Sequence, residues 1–273
     1  MLNWEINQYA VLIDKIMTKG QKRSSRAGDV YSIFGESITI DMSTEFPLLR
    51  GRKMFYRSVL GELAAMLRGP KNIADFKKFG CNYWDSWGNK ETGEINVDYG
   101  NSWIDFNGTN QLDELVTKLR NAPTDRRLLV SGWRPDRVAS LDLPCCHMLY
   151  QWYVRDNKFL DMLWYQRSVD TMVGLPSDII LCAAWNAILA AETGYTPGTI
   201  KLVLGDTHIY SNHLEPTLDY LRNLNSLSET VGTKEPLNYT VNKDTTLKTF
   251  VPDDILVVYN GKHLGPITFK LNV

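Results

Sequence analysis

Leu143-Pro144-Cys145-Cys146-His147, Gln166-Arg167-Ser168-Val169-Asp170, Gly174-Leu175-Pro176-Ser177-Asp178 and Gly205-Asp206-Thr207-His208-Ile209-Tyr210-Ser211-Asn212-His213 punctuate one stretch of the chain, residues 143–213. The segments between them are apolar and patterned. Met148–Arg155 and Lys158–Gln166 read as two strands turned at Asp156-Asn157. Ile179–Thr193 is apolar almost all round and stops at Gly194, which predicts a buried helix. Thr199–Leu204 predicts a strand and Ile209–Leu221 a helix. The punctuating residues are a thiol, a cation with a hydroxyl beside it, two carboxylates and a His/Tyr pair. That inventory suits a site that attacks an electrophilic carbon and holds an anionic, hydroxyl-bearing substrate.

Upstream, Ile6, Tyr9, Ala10, Ile13, Ile16 and Met17 recur at helical spacing, and Gly20 ends the helix they predict. Gln21–Gly28 is a basic, small-residue loop, read either as a solvated turn or as a phosphate grip. Val30–Phe34 and Ser37–Asp41 predict strands joined in a hairpin at Gly35-Glu36. Lys53–Leu67 predicts a helix with Val59, Leu60, Leu63, Met66 and Leu67 inward. Glu62 falls among them, either at the edge of the apolar stripe or as a desolvated acid. Cys81–Phe106 is irregular and aromatic, suited to core or to the wall of a cleft for a flat ring. A helix marked by Leu112, Leu115, Val116 and Leu119 leads through Pro123–Arg127 into a strand over 128–133. Arg126-Arg127 fits an anion clamp or ordinary surface pairing. Residues 223–247 are polar and turn-rich, and late strands and a tail follow. Strands and helices without regular βαβ alternation indicate an α+β class, with no evident domain break in residues 1–273.

The chain has 273 residues, 44% of them hydrophobic and 11% aromatic, enough for a sizeable core. A net charge of −1 leaves no broad footprint for nucleic acid. No run approaches the roughly 18 apolar residues of a membrane span. Met1-Leu2-Asn3-Trp4-Glu5 lacks the basic and apolar regions of a signal peptide. Cys81, Cys145, Cys146 and Cys182 suggest a reduced, cytoplasmic protein without disulfides. Neither the cysteines nor the histidines have metal-ligand spacing, so no metal is expected.

The punctuated stretch resembles the thymidylate synthase family. Pro144 with Cys146-His147 is similar to its Pro-Cys-His, and Gln166–Asp170 to its Gln-Arg-Ser-x-Asp. Gly174-Leu175-Pro176 and residues 205–213 match as well. Outside the stretch, Ser32-Ile33-Phe34-Gly35, Arg57-Ser58 with Glu62, Trp84-Asp85-x-Trp87, Tyr99-Gly100 and Arg126-Arg127 resemble family segments in family order. The resemblance implies an α+β homodimer with two large mixed sheets packed back to back. It implies a deoxypyrimidine monophosphate substrate and 5,10-methylenetetrahydrofolate as one-carbon donor. Cys146 would be the nucleophile, joined in catalysis by Glu62, Tyr99, His147 and Asp170. Arg26 or Arg23, with Arg167 and Ser168, would hold the phosphate, and Arg126 and Arg127 would come from the partner subunit. His208 and Tyr210 would bind the sugar hydroxyl. Trp84, Trp87, Asp170 and the tail ending at Val273 would contact the folate.

The residue types suit that chemistry. Thiolate addition at C6 of a pyrimidine makes C5 nucleophilic, and nearby arginines are expected to lower the thiol's pKa. Two departures from the family pattern stand out. Cys145 supplies a second thiol, and register with His147 favours Cys146. Asp178 stands where the synthases have Asn, as in the deoxycytidylate hydroxymethylase branch, and Ser177 replaces a bulky aromatic. A protonated Asp offers O–H to cytosine N3 and C=O to the 4-amino group, and an ionised Asp could instead pair with an N3-protonated cytosine. The expected activity is hydroxymethylation of dCMP at C5, of the kind that supplies modified cytosine for viral DNA. Reductive methylation of dCMP, thymidylate synthesis from dUMP, and a silent nucleotide- or RNA-binding homologue are the alternatives.

Overall fold

The computed structural model describes residues 4–228, 236–258 and 264–272. A turn of π-helix, Glu5–Tyr9, runs into α1 (Ala10–Lys19) and buries Tyr9, Leu12, Ile13 and Ile16. Ile6, expected inward, is exposed, and Leu12, outside the expected set, is buried. The basic segment is not a loop throughout. Gln21–Ser25 forms β1 and pairs with the start of β2 (Gly28–Asp41), leaving Arg26-Ala27 as the tip of a tight hairpin.

The hairpin expected at Gly35-Glu36 does not form. β2 runs straight through it, paired with β6 (Thr196–Tyr210) on both sides of Gly35. Gly35 has φ +84°, so it kinks the strand where a side chain would be strained. Turn chemistry was present, but the apolar residues flanking it found longer partners in the sheet.

β3 (Leu129–Ser131), β4 (His147–Arg155) and β5 (Phe159–Asp170) complete a six-stranded sheet of order β1-β2-β6-β5-β4-β3. The β4–β5 turn holds Asp156 and Asn157 at φ +56° and +50°, the left-handed pair that closes such hairpins. β5 and β6 are parallel and need a crossover. That crossover is α6 (Gly174–Thr193), capped at its end by Gly194 with φ +82°. Contrary to the reading of the sequence alone, α6 is long and apolar enough to cross a membrane, but 83% of its apolar window is buried inside the protein. It is the core helix.

α2 (Tyr56–Met66) packs across α6. Short helices α3 (Ile73–Lys77) and α4 (Asn101–Ile104) and the longer α5 (Gln111–Asn121) build one flank, α7 (Leu214–Ser228) another, and β7 (Asn238–Val241) pairs with β8 (Ile255–Val258) in a small second sheet. The fold is α+β around one large mixed sheet. Its inner face is covered by α1 and α6. Its outer face presents Leu149, Leu163, Tyr165 and Val203 beside the exposed Tyr153.

At Gly205 of β6 a Cβ would lie 2.7 Å from the Arg167 carbonyl oxygen of β5. Gly205→Ala should therefore push β5 outward. We expect a loss of roughly 1–3 kcal/mol of stability in denaturant melts, the usual scale of overpacking. Unchanged stability would mean that the strand pair yields at this point.

Candidate active site

The ends of β4, β5 and β6 and the first turns of α6 converge on Cys146. The residue stands immediately before β4, and a bulge between His147 and Leu149 sets the direction in which the strand departs. The Arg167 N–H donates to the Cys146 carbonyl (2.8 Å). Its guanidinium donates to the carbonyls of Cys145 (2.8 Å) and Pro144 (3.0 Å) and lies over the Trp133 ring. Arg167 thus braces the segment that carries both thiols. Cys145 is fully buried and Cys146 only partly so. Burial drives the Cys145 thiol far up, beyond any thiolate at neutral pH. Cys146 is raised as well, by desolvation first, while a hydrogen bond from Tyr99 and the charge of Arg167 pull it down. The expected net lowering by arginine is absent because desolvation outweighs it in this chain.

Tyr99 accepts the Cys146 N–H (2.6 Å), and its ring touches His147 and the edge of Trp84. His147 sits behind the nucleophile, packed on Trp164 (ring centroids 4.4 Å) and near Trp103 and Tyr150. Burial pushes its pKa down to about 3, so the ring is neutral.

Two acids face this region from different helices. Glu62, on the buried face of α2, accepts from Tyr83 Oη (2.6 Å) and Trp84 Nε1 (2.7 Å). Desolvation raises it to about 7 against those two hydrogen bonds. It is the desolvated acid, not an edge residue. Asp178, one turn into α6, accepts from Gln166 Nε2 (2.6 Å). Burial raises it to about 8, Gln166 opposes this, and the charges of Glu62 and Asp170 add to it. The crossing of α2 and α6 therefore puts two proton-holding acids in one buried space.

Asp170 accepts the N–H groups of Met172 (3.1 Å) and Val173 (3.2 Å), holding the turn into α6. Ser168 pairs across the parallel strands with Asp206. His208 lies 3.4 Å from Asp206, and its ring meets Tyr210 edge-on. Tyr210 is raised by burial and by the charges of Asp170 and Cys146, and lowered by Arg26, which places all three within electrostatic reach of it. Arg23 is ion-paired with Asp206 (2.8 Å), whereas Arg26 extends from the hairpin tip.

Arg126 and Arg127, expected to serve a partner subunit's site, and Trp87 do not join the Cys146 cluster within this chain. Arg127 forks onto Asp125, and Arg126 is exposed beside it. Among the described residues neither has a hydrogen bond or ion pair to the Cys146 cluster. Trp87 lines a separate cavity of about 960 Å³ with Lys71, Asn89 and Arg137, and Cys146 is not among its lining residues. Trp84 is buried and stacked flat against Phe76 (4.6 Å, 10°). Val273 lies outside the described residues.

A second cavity, of about 450 Å³, does adjoin the site, lined by Arg52, Lys53, Phe55, Tyr83, Val173, Ser177 and Phe269. Most of these were missed. Tyr83 beside Trp84 was the available signal, while Arg52 and Phe269 meet only through the fold. The tail is seated by His213 Nε2 on the Lys270 carbonyl (2.7 Å) and by Asn212 on Asn272 (3.1 Å). The cavity is lined by apolar and aromatic residues together with the buried Arg52 and the exposed Lys53, which fits a flat, anionic molecule such as a folate. Among the described residues no group of three or more His, Cys, Asp or Glu is placed to hold a metal ion.

A family model described as thymidylate synthase matches residues 7–273. A thymidylate synthase of Enterobacteria phage T4 is 33% identical over 276 aligned residues, covering 90% of this chain and 96% of the phage protein. A thymidylate synthase of Mycoplasma mobile is 33% identical over 245, covering 79% of this chain and 85% of its own length.

Glu62 and Asp178 bind protons more tightly folded than unfolded, where their ordinary values are 4.5 and 3.8. Stability from these groups is full below the ordinary values and is lost as pH rises through about 7 and about 8. The Tm of Glu62→Gln relative to the unsubstituted protein should therefore rise with pH across the Glu62 window. A pH-independent difference would place Glu62 in contact with water.

Proposed function

The chain belongs to the thymidylate synthase family, and from that premise we propose that it transfers a one-carbon unit to C5 of dCMP and releases 5-hydroxymethyl-dCMP. The family performs folate-dependent transfer to C5 of a pyrimidine nucleotide and takes methylenetetrahydrofolate as co-substrate. The observation that carries the cytosine reading is Asp178: a buried carboxyl that holds its proton at neutral pH and is oriented by Gln166. A protonated carboxyl gives one donor and one acceptor. Cytosine presents an acceptor at N3 and a donor at its 4-amino group, whereas uracil presents the reverse.

Cys146 is the nucleophile in this reading. Its thiolate adds to C6, and C5 then attacks the carbon that the folate supplies. Arg167 and Tyr99 offset part of the desolvation that opposes the thiolate. Glu62, near neutral in its affinity for a proton, accepts and returns protons around the base. Arg26, Arg167 and Ser168 hold the phosphate, and His208 and Tyr210 the sugar hydroxyl. The folate occupies the cavity between Tyr83 and Phe269, with its glutamate directed at Arg52 and Lys53. The family is typically homodimeric, and we extend this to the present chain. The apolar outer face of the sheet suits a second copy, and Arg126 and Arg127, exposed and remote within the chain, are offered to the partner's site.

Loss of the folate leaves an exocyclic methylene on C5. Water adding there gives hydroxymethyl and tetrahydrofolate. Hydride from the folate gives methyl and dihydrofolate. The second outcome is favoured by the two relatives, both thymidylate synthases, and by Trp84 beside Glu62. Incubation with dCMP or dUMP and methylenetetrahydrofolate, followed by the mass of the nucleotide and the absorbance of dihydrofolate, separates the readings. A methylated dUMP product would overturn the cytosine reading.

Asp178→Asn should move the ratio of kcat/KM from dCMP toward dUMP by about ten- to a hundredfold, the cost of leaving a buried polar group unpaired. A ratio that does not move would remove Asp178 as the reader of the base. Cys146→Ser should abolish turnover, while Cys145→Ser, whose thiol is buried under Arg167, should retain much of it. The opposite result would exchange the two thiols.

A further inference from the structure

We propose that Tyr150 is a positioning residue for base recognition, fixing the tautomer of His147 and through it the side of Asp178 that carries the proton. The inference begins with one hydroxyl that has two neighbours. Tyr150 Oη lies 2.9 Å from the carbonyl oxygen of His147 and 2.6 Å from His147 Nδ1. A carbonyl only accepts, and a tyrosine has one proton to give. The hydroxyl therefore donates to the carbonyl, and its lone pair takes a proton from Nδ1. If the hydroxyl instead donated to Nδ1, two acceptor oxygens would face each other at 2.9 Å.

The ring is neutral, caged by Trp164, Tyr99 and Trp103. It holds a single proton, and that proton is on Nδ1. Nε2 is bare. It lies 3.9 Å from Asp178 Oδ1, too far for a direct hydrogen bond but close enough for charge to matter between two buried groups. The other carboxyl oxygen, Oδ2, accepts the Gln166 amide. The two oxygens of Asp178 are thus made unlike. Oδ2 faces a donor and Oδ1 faces a lone pair. A lone pair repels an ionised Oδ1 and tolerates a protonated one. With the proton on Nε2 instead, histidine would stabilise the ionised oxygen and undo the pattern. The arrangement puts O–H on Oδ1 and leaves Oδ2 as the acceptor; with Oδ1 toward N3 and Oδ2 toward the 4-amino group, that order suits cytosine and opposes uracil. Its use for cytosine rests on the function proposed above, but the tautomer does not.

The test is the ¹H–¹⁵N spectrum of the histidines in the free protein and in Tyr150→Phe, together with kcat/KM for dCMP and dUMP in both. Phenylalanine keeps the ring between Trp103, Trp164 and Trp185 and removes only the hydroxyl. The unsubstituted protein should show His147 protonated on Nδ1. In the variant Nδ1 loses its acceptor, the Nε2–H form should appear, and the dCMP/dUMP ratio should fall by about three- to tenfold, the worth of one hydrogen bond. An Nε2–H ring in the unsubstituted protein overturns the proposal whether or not the variant folds. So does a tautomer that ignores the substitution, or a ratio that ignores the tautomer. A preference for dUMP in the unsubstituted protein, with Nδ1–H observed, would remove the cytosine reading and leave the tautomer lock standing.

Discussion

Burial of Glu62, Asp178 and His147 between α2, α6 and the ends of β4 and β5 is the constraint on which the protonation states of the site depend. Desolvation penalises whichever form of a group is charged. It therefore raises Glu62 to about 7 and Asp178 to about 8, and lowers His147 to about 3. One physical cause gives neutral acids able to donate and a neutral base able to accept. The same cause disfavours the Cys146 thiolate. A site buried enough to keep Asp178 protonated must restore the nucleophile locally, through the Tyr99 hydroxyl and the Arg167 charge.

The burial is built by large side chains. Trp103, Trp164 and Trp185 with Tyr150 form a contiguous cluster under β4 and β5, with ring centroids of Trp103 and Trp185 4.2 Å apart. α6 closes the space from the other side with apolar residues on every face. Glu62 and Asp178 enter from two helices that cross, so neither can relax toward solvent without parting that crossing. Their hydrogen bonds to Tyr83, Trp84 and Gln166 orient them and only partly offset the burial.

What the sequence disclosed followed the range of the forces involved. The Asp156-Asn157 turn and the stop at Gly194 are local, and both appear where the residues indicate. The family motifs placed Cys146, Glu62 and Asp178 in one region because their order along the chain carries that information. Gly35 misled because a turn-forming residue also serves as a kink, and only the partner strand decides between them. The basic segment before Gly28 misled similarly, since strand pairing with residues 28–32 has no signature in charge. The cavity between Arg52, Tyr83 and Phe269 joins three distant segments, and no spacing announces it. Tyr150 alternates inward like any strand residue, so its bond to His147 was invisible until the bulge beside His147 was placed.

The topology also sets a timetable for a chain made from its N-terminus. β2 lies between β1 and β6, and β6 is the strand that covers its second edge. At ordinary rates of translation the interval between emergence of Asp41 and of Thr196 is roughly 10–30 s. Glu5 waits longer, because its carboxylate accepts from Tyr220 as well as from the N–H groups of Arg50 and Gly51. For that time the nascent chain carries a long half-paired strand with Ile38 and Ile40 uncovered, the sort of surface that chaperones hold. A ribosome that stalls before residue 196 would strand the protein in its most adhesive state.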